Sequence, residues 1–184
     1  MNKQPWNILS KKLLLDCWPW LRISSEHVRL PNGVEIPDFY RIDMPEWAQV
    51  FALDDDRRVV MVEHYKHGAG MVSLELPAGY LNSDEAPEVG ARRELLEETG
   101  LEALELEFLG RYYIDGNRGC GGSSIFLARR TRRVAAPNLE ETELMAQRWL
   151  TLDEVRAAWL GGEIHNLATI AAVGLALAKI EGDT

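Results

Sequence analysis

Between Gly79 and Leu101 the stretch GYLNSDEAPEVGARRELLEETGL gathers more acidic oxygen than a wet surface requires. Glu94, Glu97 and Glu98 stand at i, i+3 and i+4, a spacing that puts all three on one face of a helix within a single turn. Like charges so placed cost about 0.2–0.5 kcal/mol per pair on an exposed helix. Clustered carboxylates are the hard donors that Mg²⁺ or Mn²⁺ takes, and such a cation removes the repulsion. Three glutamates alone are more often an ordinary acidic face, so the rest of the stretch decides between the two.

The helix that would carry them is signalled locally. Asp84 and Glu85 are expected just before and within its first turn, where negative charge suits the helix dipole. Pro87 suits an early helical position, Ala91, Leu95 and Leu96 favour the interior, and Gly100 is a stop. Taken together the residues read G-x5-E-x7-R-E-U-x-E-E-x-G-U, with U aliphatic, from Gly79 through Glu85, Arg93-Glu94-Leu95 and Glu97-Glu98 to Gly100-Leu101. This resembles the signature box of the Nudix hydrolases.

That resemblance implies a loop-helix-loop holding Mg²⁺ (Mn²⁺ as substitute) against a diphosphate, and hydrolysis of a nucleoside diphosphate linked to another group. It implies metal ligands at Glu94, Glu97, Glu98 and the carbonyl of Ala78, with Glu97 also counted in the catalytic set. Glu85 is expected to support the helix start, and Arg93 to orient a box carboxylate, with a substrate phosphate contact as its lesser role. In the ADP-ribose pyrophosphatase group, which this chain resembles most, an acidic loop supplies the general base. Glu141 and Glu143 occupy the matching stretch, and the choice between them stays open. Lys66 stands where a basic residue meets the substrate phosphates, and Arg118, in a glycine-rich loop, is a second candidate for phosphate or ribose. The group usually carries a proline where Gly116-Asn117 stand here. ADP-ribose is therefore the first substrate expected, with other nucleoside diphosphate sugars such as GDP-mannose beside it. A nucleotide sensor of the same fold would tend to lack box glutamates, and all are present.

Behind these residues stands a chain of 184 with 46% hydrophobic and 27% charged residues, enough for one core without disulfides. Its net charge of −9 argues against a nucleic-acid partner, which would favour a basic stripe. It also leaves metal and a few local cations to attract a diphosphate. Cys17 and Cys120 make no disulfide framework, and free thiols in a cytoplasmic setting are expected. No secretory signal opens the sequence. The most apolar segment, residues 167–180, is too short for a bilayer and reads as a buried helix.

The positioning elements follow in order. Residues 13–15, 21–28 and 36–42 read as strands, the last two joined by a Pro31-Asn32-Gly33 turn. By resemblance this tryptophan-bearing ribbon, residues 1–44, is an extension that joins two copies into a homodimer, ahead of a hydrolase domain over residues 45–184. Further strands are expected over 47–53, 59–65, 72–76, 104–114, 123–128 and 148–150. The unbroken run Val59-Val60-Met61-Val62 points to burial on both faces. The Arg129–Arg133 cluster reads as a solvated loop. Thr151-Leu152-Asp153-Glu154 is a capping box opening a helix to about residue 160, and residues 166–180 form the last helix. The order suits a mixed sheet between helices, which the resemblance sharpens to a Nudix α/β/α sandwich preceded by an antiparallel ribbon.

Overall fold

The structure, a computed structural model, describes residues 4–183, so the outermost residues of the two expected domains lie outside it. Two units form. One takes the chain through Glu46 together with Tyr113–Gly122; the other takes Trp47–Tyr112 and the chain from Ser123 onward.

In the first unit, β1 (Asn7–Cys17), β2 (Leu21–Arg29) and β3 (Glu35–Asp43) form an antiparallel sheet in the order β1-β2-β3. The turn between the last two is closed by Gly33 N–H donating to Leu30 O at 2.9 Å, with Gly33 at φ +87°. β1 is far longer than the three leucines suggested. Main-chain pairing with β2, from Asn7↔Arg29 to Cys17↔Leu21, sets its length, and every one of its residues is exposed. Trp6, Trp18 and Trp20 are exposed too, Trp20 by 67%. Both cysteines are free.

The second unit begins with β4 (Trp47–Leu53), β5 (Arg58–Lys66), β6 (Met71–Glu75) and β7 (Ala78–Tyr80). Helix α1 (Pro87–Thr99) follows, then β8 (Leu101–Asp115) and β9 (Cys120–Arg133), whose connected ends belong to the first unit. β10 (Met145–Thr151), α2 (Leu152–Gly161) and α3 (Leu167–Gly182) complete the chain. The sheet runs β10-β5-β4-β9-β8, with β6 on β5 and β7 on β4. β4 is parallel to β9 and antiparallel to β5 and β7, so the sheet is mixed.

Side-chain alternation splits the core in two. Phe51, Leu53, Val59, Met61, Ile125 and Leu127 pack against Val155 and Ala158 of α2 and Ala172, Val173, Ala176 and Leu177 of α3. The intervening Ala48, Val50, Ala52, Val60, Phe126 and Ala128 pack against Ala91 and Leu95 of α1. Val59 to Val62 is thus buried on both faces, as its composition requires. The unit is an α/β/α sandwich. No helix among the described residues is long and apolar enough to cross a membrane.

Two expectations need correction. Arg129–Arg133 is not a loop but the end of β9, where Thr131 is buried and its hydroxyl donates to Leu53 O at 2.9 Å. Arg129, Arg130 and Arg132 pair with acids, Arg132 with Glu102 at 2.7 Å for one, so charge density there marks the wet end of a strand. The helix begins at Pro87, with Ala86 as its cap, so Asp84 and Glu85 lie in the preceding loop.

Candidate active site

The box helix is held at both ends before any carboxylate is considered. At its C-terminus Gly100 adopts the left-handed conformation, φ 72°, and donates to Leu96 O. The last carbonyls of a helix have no partner within it. Here Asn138 N–H donates to Glu97 O at 2.8 Å, Gln147 Nε2 to Glu98 O at 2.8 Å and Arg133 Nη1 to Thr99 O at 2.9 Å. At the other end Glu85 reaches forward from the loop to Arg93.

Arg93 is the hub. Its Nε donates to Glu85 Oε1 at 2.9 Å and its Nη2 to Glu85 Oε2 at 2.8 Å and Tyr80 O at 2.9 Å. Its Nη1 donates to Glu94 Oε1 at 2.5 Å and Glu97 Oε2 at 3.0 Å. A guanidinium has five N–H donors, and these five bonds use them all. The substrate contact expected of Arg93 therefore finds no donor left for it, and its geometry is that of a brace between loop and helix. The arrangement holds the Glu85 carboxyl down at about 2, chiefly through the Arg93 hydrogen bonds. It also raises the Arg93 guanidinium above its ordinary value.

Glu94 and Glu98 are buried, while the Glu97 side chain is 40% exposed. Burial raises the Glu94 carboxyl despite Arg93 beside it. Burial likewise pushes Glu98 up to about 8; its hydrogen bond from the Ala78 amide at 3.0 Å opposes the shift, and the Glu94 and Glu143 charges add to it. Gly79 is where the sheet meets these carboxylates. A Cβ built there would stand 2.1 Å from Glu94 Cδ, so only glycine admits the Glu94 carboxylate against β7.

The sequence-derived residues thus divide. Ala78, Arg93, Glu94, Glu97 and Glu98 are brought together. Glu143 is felt electrostatically by Glu94, Glu98 and His64, and its carboxylate accepts the Glu140 amide at 3.0 Å. Glu141 is exposed in the same turn. Lys66 acts on Glu98 through its charge and bonds to Glu75 and His64. Arg118 belongs to the first unit, where its carbonyl accepts from Ile42 at 2.9 Å and its amide donates to Asp115. Glu75 was not singled out from the sequence; the signal for it is an acid on the inward side of an otherwise buried strand end, SLEL.

The residues fit a divalent cation by their chemistry. Two buried carboxylates raised in pKa are groups that gain from a hard positive charge. They are not yet a cage: among the described residues no three side chains converge on a point fit for an ion, and Arg93 Nη1 is the charge shared by Glu94 and Glu97.

Comparison with known proteins agrees with this geometry. Residues 46–168 match the model of the NUDIX domain. An ADP-ribose pyrophosphatase of Mycobacterium tuberculosis is 36% identical over 82% of this chain and 73% of its own length. A methanol dehydrogenase activator of Bacillus methanolicus is 30% identical over 83% of each. A solved structure described as an ADP compounds hydrolase shares the fold with a TM-score of 0.83 at 19% identity, over 100% of this chain and 98% of that one. With the box helix, its acidic face and the three-layered fold in place, the chain belongs to the Nudix family, as a hydrolase related to the ADP-ribose pyrophosphatases.

Proposed function

We propose that this protein is a metal-dependent pyrophosphohydrolase of nucleoside diphosphate sugars, with ADP-ribose, cleaved to AMP and ribose 5-phosphate, as its first substrate. The observation that carries the reading is Glu98: a carboxylate buried deep enough to hold a proton to about pH 8, beside a second buried carboxylate, Glu94. Such a pair is costly without a cation. Glu94, Glu97, Glu98 and the Ala78 carbonyl would hold Mg²⁺ or Mn²⁺. When bound, the ion neutralises the diphosphate and lowers the pKa of the attacking water.

The protein's own groups do the rest. Arg93 keeps Glu94 and Glu97 turned toward the substrate side. Lys66 contacts a phosphate oxygen. Glu143 takes the proton as water oxygen bonds to one phosphorus and the bridging oxygen leaves with the other phosphate. Its coupling to Glu94 and Glu98 favours it over Glu141 as the base. The names of the M. tuberculosis and Bacillus subtilis relatives, both ADP-ribose pyrophosphatases, support the substrate. The exposed tryptophans of the ribbon support a homodimer.

The test is incubation with Mg²⁺ and a panel of ADP-ribose, GDP-mannose, NADH and diadenosine polyphosphates, with products separated by chromatography. AMP and ribose 5-phosphate from ADP-ribose are expected. Turnover of GDP-mannose alone would move the substrate, and binding without turnover would overturn the hydrolase reading in favour of a sensor.

A further inference from the structure

β5 and β6 meet at a polar cluster that no residue of the box enters. Val62 pairs with Glu75 and Lys66 with Met71, so Val62, His64, Lys66 and Glu75 share one face of the sheet. That is the face of Val60, which packs with α1. Glu75 is 5% exposed. Its Oε2 lies 2.9 Å from Lys66 Nζ, and its Oε1 is buried with no hydrogen-bond partner. Lys66 Nζ also lies 3.2 Å from His64 Nδ1. An ammonium only donates, so His64 Nδ1 accepts and the ring proton sits on Nε2.

An isolated carboxylate is expensive to bury, and this one leans on a single cation. A lysine free to move would solvate itself, because its stem is flexible and its head strongly hydrated. It is held between an ion pair with Glu75 and a hydrogen bond to His64, and no further protein partner for it stands among the described residues. The Lys66 side chain is 37% exposed, and its charge acts on Glu98. Substrate-facing cations in catalytic sites work by being fixed in advance.

We infer that Glu75, with His64, is a positioning residue that fixes the Lys66 ammonium so that a free N–H meets an anionic oxygen of the diphosphate. This rests on the proposed function for the class of ligand, and it adds a role for a buried acid outside the box.

A double-mutant cycle on binding separates the two ideas, because binding needs neither turnover nor the correct sugar. The probe is methylenediphosphonate with Mg²⁺, titrated calorimetrically into the full chain, for wild type, Glu75→Gln, Lys66→Ala and the double variant. Glu75→Gln is expected to weaken the Kd about tenfold, as for loss of a charge-assisted contact. Lys66→Ala should weaken it at least as much, and the double variant should match Lys66→Ala. Glu75→Asp, which keeps the charge on a shorter stem, should fall between wild type and Glu75→Gln. With ADP-ribose, KM should rise while kcat changes less. Additive losses, an unaltered Kd in Glu75→Gln, or a wild type that does not bind the probe would each overturn the inference. A wild type that binds the probe but hydrolyses no nucleoside diphosphate sugar would overturn the proposed function alone.

Discussion

Glu98 is the residue on which pH and the proposed metal would act together. An unfolded glutamate releases its proton near 4.5, whereas folded Glu98 keeps it to about 8 without a cation. Between those values the native state binds one proton more than the unfolded chain, so stability falls as pH rises and levels off above about 8. Glu94, also raised, acts in the same direction. In chelator, the melting temperature should therefore drop from pH 5 to pH 8, and Glu98→Gln should flatten that slope. Excess Mg²⁺ should raise the melting temperature more at pH 8 than at pH 6, because it competes with the proton. Glu98→Gln should also lower kcat by orders of magnitude with the fold intact; a variant that remained active would remove Glu98 from the site. Gly79→Ala addresses the partner surface. Its methyl would collide with the Glu94 carboxylate, costing about 1–3 kcal/mol in denaturant unfolding and displacing a proposed ligand, with kcat falling at least about tenfold.

At the scale of elements, the local signals were legible and the remote ones were not. Thr151 forms the full capping box with Glu154, and Gly100 the left-handed stop, because each motif closes within four residues of itself. β4 runs over Trp47–Leu53, the expected bounds. β7 went unread, because three residues carry no periodicity and its existence depends on β4 thirty residues away. The end of β9 was hidden for the same reason: its arginines look like a loop until Thr131 is seen under Leu53. Among the site residues, the box carboxylates declared themselves by spacing, while Glu75 matters only because β6 lies against β5. Thr151→Ala tests the independence of the layers. α2 packs on the side of the sheet away from α1, so the change should cost about 1 kcal/mol in urea unfolding and leave kcat/KM unaltered.

For the molecule as a whole, the first unit is where surface and solvent disagree. Ile8, Leu9, Leu13, Leu14 and Leu15 of β1 stand exposed alongside the three tryptophans, a larger apolar area than a monomer usually keeps wet. Sedimentation equilibrium should give twice the chain mass of 20.8 kDa, and Trp20→Asp should shift the population toward single chains. Within the second unit, the acidic stretch that includes Glu143 leaves β9 through Asn138, whose amide is bonded to the Glu97 carbonyl. The strand that receives the stretch returns Gln147 to the Glu98 carbonyl. Helix end and loop are thus riveted at two successive peptides, and neither can travel without towing the other. An ion held by the proposed glutamate ligands would pull on the same turn, so its binding would be felt by the acidic stretch through these two bonds. Slower deuterium uptake at the Asn138 amide on adding Mn²⁺ would register that coupling.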